Sequence, residues 1–414
     1  MQNMNRKYNA FSILLGSTLL LSLFASSCKK SSTNEPEPVG PEVLKNTWTS
    51  MSTGQSHTVA LGSDGSIWGW GHNDSGQLGT GTTTSVATPT LLSTEKTWKF
   101  INTGYEHTVA IKNDGSLWAW GGNSSGQLGT GAKGISVNTQ QKIGTDNNWK
   151  QALVGGSYTI ALKSDGTLWT WGSNSSGRLG NGLSTGETLV PTQVGSASDW
   201  DKLFTGNNWG ASFAIKKNGT LWAWGVNQNG MLGTGDTNNQ LSPVLVGGSS
   251  TYKMVAYGRA RGTLAIKTDG TLWAVGRNSR GELGIGNMDT QTNWIQVGTD
   301  KNWNTVSLFA RSVLATKTDG TLWGWGENVY GELGNGKINP KSTEEETLTS
   351  PTQVAGQSGV IDAVVGFNFS VIRKKNGGDV LFVAGSDMGA FHSLGKGDGT
   401  NAAILSFSGH IYLP

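Results

Sequence analysis

The chain has 414 residues and a formal net charge of +3, with 14% charged residues, 62 glycines and 18 tryptophans. Many turn-forming glycines, large aromatic side chains and few charged residues are typical of an all-β protein. The longest basic run is Arg373-Lys374-Lys375, and the others, such as Lys29-Lys30, have two residues, so the chain lacks the electrostatic footprint expected of a nucleic-acid-binding protein.

The N-terminal segment, residues 1–27, has the composition of an export signal. Arg6 and Lys7 precede an apolar stretch over residues 10–25, and small residues then lead to Cys28, the sole cysteine of the chain. The segment resembles a bacterial lipoprotein signal, in which Cys28 would become the acylated first residue of the mature protein. A plain signal peptide with an incidental cysteine is the alternative. A single cysteine also excludes a disulfide within the molecule.

Residues 28–45 are predicted to form a flexible, partly extended tether, because they are polar and contain the run Glu35-Pro36-Glu37-Pro38. Lys29 follows the cysteine where an aspartate would indicate retention at the inner membrane. We therefore expect an outer-membrane lipoprotein, anchored to the membrane through its lipid. The sequence leaves open whether the protein faces the periplasm or the cell surface.

From residue 46 to residue 414 the chain repeats one unit seven times, and this period identifies a single repeat domain. An Asp-Gly or Asn-Gly turn separates two β-rich runs in six copies, which predicts a hairpin. A pair such as Trp68 and Trp70 follows the turn in five copies, with Trp273 and Val275 as a weakened version in another, and a run such as Pro191–Val194 suggests a fourth strand. Seven units of four antiparallel strands indicate an all-β, seven-bladed β-propeller. The turn glycines are spaced 50, 51, 53, 51 and 50 residues apart: Gly65, Gly115, Gly166, Gly219, Gly270 and Gly320.

The sequence motifs of the repeat resemble those of the regulator of chromosome condensation repeat family of seven-bladed propellers, including its alpha-tubulin suppressor-like members. The markers are the strand His107-Thr108-Val109-Ala110, the Asp114-Gly115 turn and the run Trp120-Gly121-x-Asn123-x-x-Gly126-Gln127-Leu128-Gly129. The resemblance covers residues 48 to about 414 and implies the fold. It does not assign a function, because propellers carry unrelated activities.

Catalytic and metal-binding patterns are absent from the sequence. His57 and His107 occupy equivalent repeat positions and Tyr158 replaces them in the third copy, so we interpret this position as structural. The recurring aspartates, such as Asp64, are explained by their turns, and the sequence leaves open whether a calcium ion is bound. We therefore expect no enzyme activity, no cofactor and no metal.

Sixteen of the 18 tryptophans recur with the repeat and are predicted to be scaffold residues between blades. Trp209 and Trp294 fall outside this pattern. Trp294 replaces the polar start of a fourth strand and is expected to cover an edge. Trp209 lies in the connection between the first and second strands of the fourth copy, which is the connection that varies most between copies.

Equivalent loops of a propeller emerge on one face, so the variable first connections are expected to form a ring there. Aromatic residues and arginines, the types enriched in binding hot spots, occur repeatedly in these loops. A set of ten is our candidate partner-binding ring: Tyr105, Tyr158, Trp209, Tyr257, Arg259, Arg261, Phe309, Arg311, Phe367 and Phe369. The alternative is that these side chains plug the top of the central channel.

The sequence thus predicts an envelope-anchored, monomeric, non-catalytic platform that binds an unidentified protein partner. One alternative is a polysaccharide-binding surface lipoprotein that uses Trp209 and its neighbours. Another is a hydrolase or lyase with a site in the central channel. The closing strand of the ring is also left open between residues 403–408 and the segment before Trp48.

Overall fold

The computed structural model of the chain describes residues 47–206, 210–259, 261–338, 347–375, 379–386, 394–395 and 403–411. Within these residues, 28 strands form seven antiparallel sheets of four strands each, which confirms the predicted seven-bladed β-propeller. The strands of each blade follow one another in sequence and in space. Among the described residues, no helix has the length and apolar character needed to span a membrane.

The first four blades end with Val246. Blade 1 comprises β1 (Trp48–Thr53), β2 (His57–Gly62), β3 (Ile67–Gly71) and β4 (Val86–Leu91). Blade 2 comprises β5 (Trp98–Thr103), β6 (His107–Lys112), β7 (Leu117–Gly121) and β8 (Val137–Lys142). Blade 3 comprises β9 (Trp149–Val154), β10 (Tyr158–Lys163), β11 (Leu168–Ser173) and β12 (Glu187–Gln193). Blade 4 comprises β13 (Trp200–Thr205), β14 (Ala211–Lys216), β15 (Leu221–Gly225) and β16 (Gln240–Val246).

The last three blades contain the remaining twelve strands, and two 3-10 turns, Ser175–Gly177 and Gln228–Gly230, precede the fourth strands of blades 3 and 4. Blade 5 comprises β17 (Tyr252–Tyr257), β18 (Gly262–Lys267), β19 (Leu272–Gly276) and β20 (Gln291–Gln296). Blade 6 comprises β21 (Trp303–Phe309), β22 (Ser312–Lys317), β23 (Leu322–Gly326) and β24 (Leu348–Gln353). Blade 7 comprises β25 (Val360–Val365), β26 (Phe369–Lys375), β27 (Asp379–Gly385) and β28 (Ile404–Ile411).

The Asp-Gly turn between the second and third strands explains the repeated aspartates. Asp64 Oδ1 accepts hydrogen bonds from the Ser66 main-chain N–H (3.0 Å) and hydroxyl (2.5 Å), and Gly65 has a φ of +80° that favours glycine. The Ser66 hydroxyl in turn accepts a bond from the Trp68 indole at 2.9 Å. The same arrangement recurs at Asp114, Asp165, Asp269 and Asp319. The turn therefore sets the hairpin and orients the first tryptophan of the pair.

From blade 1 to blade 6, each interface between neighbouring blades contains a side-chain hydrogen bond to one main-chain carbonyl group, provided by Gln77, Gln127, Arg178, Met231 or Glu282. The Trp120 indole N–H and the Thr108 hydroxyl of blade 2 both donate to the Gln77 carbonyl of blade 1, at 2.9 and 2.7 Å. Gly79 has no Cβ, and one placed there would lie 2.7 Å from the Trp120 indole nitrogen. The glycines of the Gly-Gln-Leu-Gly run therefore make room for the next blade's tryptophan.

The hydrophobic core is divided among the interfaces between blades. Seven clusters of buried side chains each combine residues from two adjacent blades. Trp70, Trp120 and their equivalents are fully buried within these clusters, whereas Trp68 and Trp118 are half-buried. The interpretation of the periodic tryptophans as scaffold residues is confirmed.

Two blades lack the second tryptophan of the pair, and an aromatic residue of the fourth strand replaces it. Val275 stands in blade 5, and there Trp294 of β20 lies against Gly233, as Trp120 lies against Gly79. In blade 7 the ring of Phe407, from β28, packs against Gly334 in the same way. Trp294 thus does more than cover an edge, because it packs against the core cluster between blades 4 and 5.

The C-terminal segment supplies the outermost strand of blade 7, which resolves how the ring closes. The sheet order is β25-β26-β27-β28, so each blade is built from consecutive strands alone. Blade 7 then packs on blade 1 through a cluster containing Trp48, Trp70 and Phe369. Arg373 Nη1 donates to the Trp48 carbonyl at 2.9 Å across this interface. Closure therefore depends on side-chain packing and not on an exchanged strand.

We expect the substitution Trp120→Phe to lower the free energy of unfolding by about 2 kcal/mol, because it removes a buried indole bond and leaves a small cavity. The matched variant Trp118→Phe removes an indole bond to Ser116 at a half-buried position and should cost less than about 1 kcal/mol. Urea unfolding followed by tryptophan fluorescence compares the two. Equal losses would contradict the central role of the carbonyl contact.

Candidate partner-binding site

The first residue of each second strand occupies a buried position near the centre of the propeller. His107 Nε2 lies 3.0 Å from the Thr159 hydroxyl of the next blade, and His57 Nε2 pairs with the Thr103 hydroxyl. Burial lowers the pKa of both histidines to about 3, so they are neutral at physiological pH. The interpretation of His57 and His107 as structural residues is confirmed by these contacts.

Four members of the candidate ring are buried. The Tyr158 and Tyr257 hydroxyls both donate to the Ala211 carbonyl, the former at 2.8 Å, and burial raises the pKa of each phenol. Phe309 and Phe369 belong to the core clusters on either side of blade 7. These four side chains fill the interior, as in the plug alternative, so they are not available as exposed contacts for a partner.

Four other members meet in a single open pocket of about 490 Å³. Arg259, Arg261, Arg311 and Phe367 come from the first connections of blades 5, 6 and 7, and all line this pocket. Tyr105 is 36% exposed at the equivalent connection of blade 2 and does not line it. Two further predicted residues, Trp209 and the lipidation residue Cys28, lie outside the described residues.

The connections between third and fourth strands supply the rest of the pocket, because in a consecutive antiparallel sheet they lie at the same end as the first connections. Sequence reasoning missed these residues: Arg277, Glu327, Val329, Tyr330 and Glu332. The available signal was a departure from the repeat. Glu332 and Glu282 stand where blades 1 and 2 have Gln77 and Gln127.

The guanidinium groups of the pocket differ in how they are held. Arg259 lies over the Phe367 ring at 5.3 Å, and that ring contacts Phe309 edge-on with centroids 6.5 Å apart. Arg311 Nη1 donates to Glu327 Oε1 at 3.4 Å. By contrast, the Arg277 guanidinium has no hydrogen-bond or ion-pair partner among the described residues. Its donors are therefore available to a ligand.

Two buried carboxyl groups lie beneath the arginines. Glu332 Oε1 accepts a bond from the Ser312 hydroxyl at 2.9 Å, and Oε2 accepts one from the Tyr330 N–H at 2.8 Å. Glu282 Oε2 accepts a bond from the Arg280 N–H at 2.7 Å, but its Oε1 has no partner in the described part of the chain. Burial raises the pKa of both carboxyls to about 7, so each carries only part of a negative charge at neutral pH.

The backbone around the pocket is strained at two non-glycine residues. Arg261 has a φ of +71° and Ala310 a φ of +47°, in adjacent blades. Blade 4 has Gly210 with a φ of +78° immediately before its second strand, at the place corresponding to Arg261. A left-handed conformation costs a residue with a side chain about 1 kcal/mol relative to glycine. Such strain at a surface pocket is a signature of a functional site.

The patterns of a metal centre and of a site in the central channel do not occur in the described part of the chain. No group of three or more histidine, cysteine, aspartate or glutamate side chains there could hold a metal ion. The central cavity of about 290 Å³ is lined by the innermost strands of all seven blades, and its described lining contains neither a carboxylate nor a histidine. Its walls are instead aliphatic, aromatic, hydroxyl and amide side chains, such as Leu153, Phe204 and Asn102.

Comparison with protein families identifies the repeat. Residues 64–111, 114–162, 165–208, 218–260 and 319–372 match the family described as "Regulator of chromosome condensation (RCC1) repeat". A second description of the same repeat matches residues 48–77 and 98–127. The matched segments cover more than half of the chain and include strands of all seven blades.

Two curated relatives are similar in sequence over part of their length. The chain is 31% identical over 248 residues to the ultraviolet-B receptor UVR8 of Arabidopsis thaliana, an alignment covering 60% of this chain and 45% of UVR8. It is 29% identical over 240 residues to the human E3 ubiquitin-protein ligase HERC2, covering 56% of this chain and 5% of HERC2. The chain therefore spans less than half the length of either relative.

Two solved structures are similar in fold. Human WBSCR16 superposes with a TM-score of 0.70 at 20% identity, covering 80% of this chain and 88% of that one. Prp20p of Saccharomyces cerevisiae, whose binding to Gsp1p and histones was studied with its structure, gives a TM-score of 0.71 at 21% identity and covers 83% and 85% of the two chains. At this identity the likeness establishes the shared fold alone.

The buried histidines and carboxyls should affect stability with opposite signs as the pH falls from about 7 to 5. His107 has a pKa of 6.5 in the unfolded chain and of about 3 in the folded protein, so only the unfolded chain gains a proton over this range. The free energy of unfolding therefore falls by about 2 kcal/mol for this histidine. Glu332 is protonated near pH 7 when folded and only near pH 4.5 when unfolded, so it gains a similar amount.

We therefore expect the free energy of unfolding of His107→Gln to fall less between about pH 7 and pH 5 than that of the wild type, and that of Glu332→Gln to fall more. The difference from the wild type should be about 2 kcal/mol in each case. Glutamine is the residue that blades 1 and 2 carry at the position of Glu332, which makes it a conservative replacement. Urea unfolding at the two pH values measures both variants. Curves that stay parallel to the wild type would contradict the neutral buried histidine and the protonated buried carboxyl.

Proposed function

The chain belongs to the regulator of chromosome condensation (RCC1) repeat family, and from this membership and the arginine pocket we propose that it is a non-catalytic platform for a protein partner. The partner would be held on the loop face of blades 5, 6 and 7. The carrying observation is that Arg259, Arg261, Arg311 and Phe367, from three consecutive blades, line one open pocket. Arginine and aromatic side chains in such a setting are the residue types that dominate protein interfaces.

The strain and irregularity of the pocket support a role beyond packing. Arg261 and Ala310 adopt left-handed backbone conformations that glycine would adopt at lower cost. Glu332 departs from the glutamine that blades 1 and 2 both carry at its repeat position. Proteins depart from the locally favoured residue or conformation mainly at functional sites.

The same observations favour a protein partner over the two alternatives. A polysaccharide platform calls for a flat, exposed aromatic strip, whereas the pocket mixes four arginines with Phe367 and Tyr330. A channel enzyme calls for acidic or histidine side chains facing the central cavity, and the described lining of that cavity offers neither. The solved structures of similar fold include Kap60 bound to yeast RCC1 (Prp20), so a protein with this fold occurs in a complex with another protein.

We further propose that the platform is tethered to the bacterial envelope through acylated Cys28, with residues 28–45 as the tether. The support is the order of the N-terminal segment: two basic residues, an apolar stretch, small residues and a single cysteine. Several acyl chains on one residue are sufficient for stable anchoring. An outer-membrane position follows from Lys29 after the cysteine.

The platform proposal is tested by crosslinking in intact cells that express the lipid-anchored chain. Arg259→Ala and Phe367→Ala should each remove a crosslinked partner that the wild type captures, because the first removes a guanidinium and the second its supporting ring. Lys253→Ala is the matched control: this cation lies near the opposite end of β17, where it bonds to Asn304 at 2.8 Å. Crosslinks that survive both pocket variants would refute the proposed face.

The anchor proposal is tested by Cys28→Ser. The variant should lose incorporation of radiolabelled palmitate and move from the membrane pellet to the soluble fraction, because no other cysteine is present. The released protein should unfold at the same temperature as the propeller alone, residues 46–414. Continued pelleting with the membrane would contradict the lipid anchor.

A further inference from the structure

We infer that the arginine pocket is a receptor for a carboxylate, and specifically for an aspartate or glutamate side chain that the protein partner inserts. This inference rests on the proposed platform function and names the chemistry by which the platform recognises its partner. The charge of the pocket, the guanidinium of Arg277 and the apolar walls beside it point to this ligand.

The described residues that line the pocket carry a net positive charge that their own carboxylates do not cancel. Four arginines line it against two glutamates, Glu327 and Glu332, so the lining residues sum to +2 even with both carboxylates ionised. Arg280 stands just behind, with its Nε 3.6 Å from Glu327 Oε1. Like charges held together in a half-buried pocket repel each other. An inserted anion relieves this repulsion.

Arg277 is the primary contact for the anion. Its guanidinium is half-buried and has no hydrogen-bond or ion-pair partner in the described structure, whereas Arg311 is bonded to Glu327 and Arg259 is stacked on Phe367. A guanidinium presents two parallel N–H groups that match the two oxygens of a carboxylate. The stacking on Phe367 holds Arg259 in place and so lowers the entropy lost when it bonds to the same anion.

Apolar walls distinguish an organic carboxylate from a free phosphate. Val329, Ala310 and Phe367 line the same pocket as the arginines. These groups suit the methylene groups of an acidic side chain and offer nothing to a fully hydrated phosphate ion. The volume of about 490 Å³ accommodates one or two such side chains, and the open mouth permits entry from an intact protein surface.

The test is isothermal titration calorimetry of the folded propeller with a capped tetraglutamate peptide as the probe. We expect saturable binding that weakens with salt, and no binding of capped tetraglutamine, because only the former carries carboxylates. Arg277→Gln should weaken binding by about tenfold or more, as expected for loss of a charge-assisted bond. Arg277→Lys keeps the charge but loses the two parallel N–H groups, so its affinity for tetraglutamate should lie between those of the wild type and Arg277→Gln. Lys253→Gln should bind as the wild type does.

Three outcomes would overturn the inference. One is the absence of tetraglutamate binding, or binding that Arg277→Gln leaves unchanged although the variant unfolds at the same temperature as the wild type. Another is inorganic phosphate binding as tightly as tetraglutamate, which would indicate an anion site without the apolar contacts. The third is tighter binding of a trigalacturonate, which would assign the carboxylate to a sugar instead of a protein.

The two proposals fail in distinguishable ways. If tetraglutamate does not bind while Arg259→Ala still abolishes crosslinking to the partner, the platform stands and the carboxylate receptor falls. If tetraglutamate binding depends on Arg277 while crosslinking is unaffected by the pocket variants, the carboxylate site stands and the partner contacts another face.

Discussion

The propeller depends on one contact that is repeated between blades: an indole N–H or a threonine hydroxyl donating to a main-chain carbonyl of the preceding blade. Gln77, Gln127, Arg178 and Glu282 all provide this carbonyl to the tryptophan of the next blade, at 2.9 to 3.1 Å. The large ring that carries the N–H also fills the hydrophobic cluster at the interface. Polar and apolar stabilisation are thus joined in one side chain, and losing it affects both.

Because the acceptor is a main-chain carbonyl, the contact between blades does not depend on which side chain the residue carries. Glutamine, arginine, methionine and glutamate all occur at this position. In blade 5, Glu282 replaces the glutamine while its carbonyl still accepts the Trp325 indole at 3.1 Å. Variation at this position can therefore change the charge on the loop face without weakening the contact between blades.

Compensation between positions preserves the ring where the repeat itself is degraded. Trp294 and Phe407 come from fourth strands, yet their rings occupy the places of the tryptophans missing from blades 5 and 7. The space beside the glycine has to be filled by some large ring, since a cavity there would cost several kcal/mol. Blade 7 closes the ring against blade 1 through Phe369, and within the described residues its four strands are consecutive in sequence.

The sequence by itself determined the all-β class, the seven blades of four strands, the turns and the scaffold role of the tryptophans, because each of these follows from a local, repeated pattern. It also indicated the loops in which the pocket lies. Only the tertiary structure decided which of those loop residues are exposed. In the sequence, Tyr158 and Arg259 are equally good candidates for exposed binding residues, because both lie in first connections. Their burial depends on the neighbouring blade: Tyr158 packs beside Ala211 in the interior, while Arg259 lies over the Phe367 ring in the pocket. Arg277 and Glu332 joined the site because antiparallel order brings two connections to one end of each blade, a contact between residues distant in sequence.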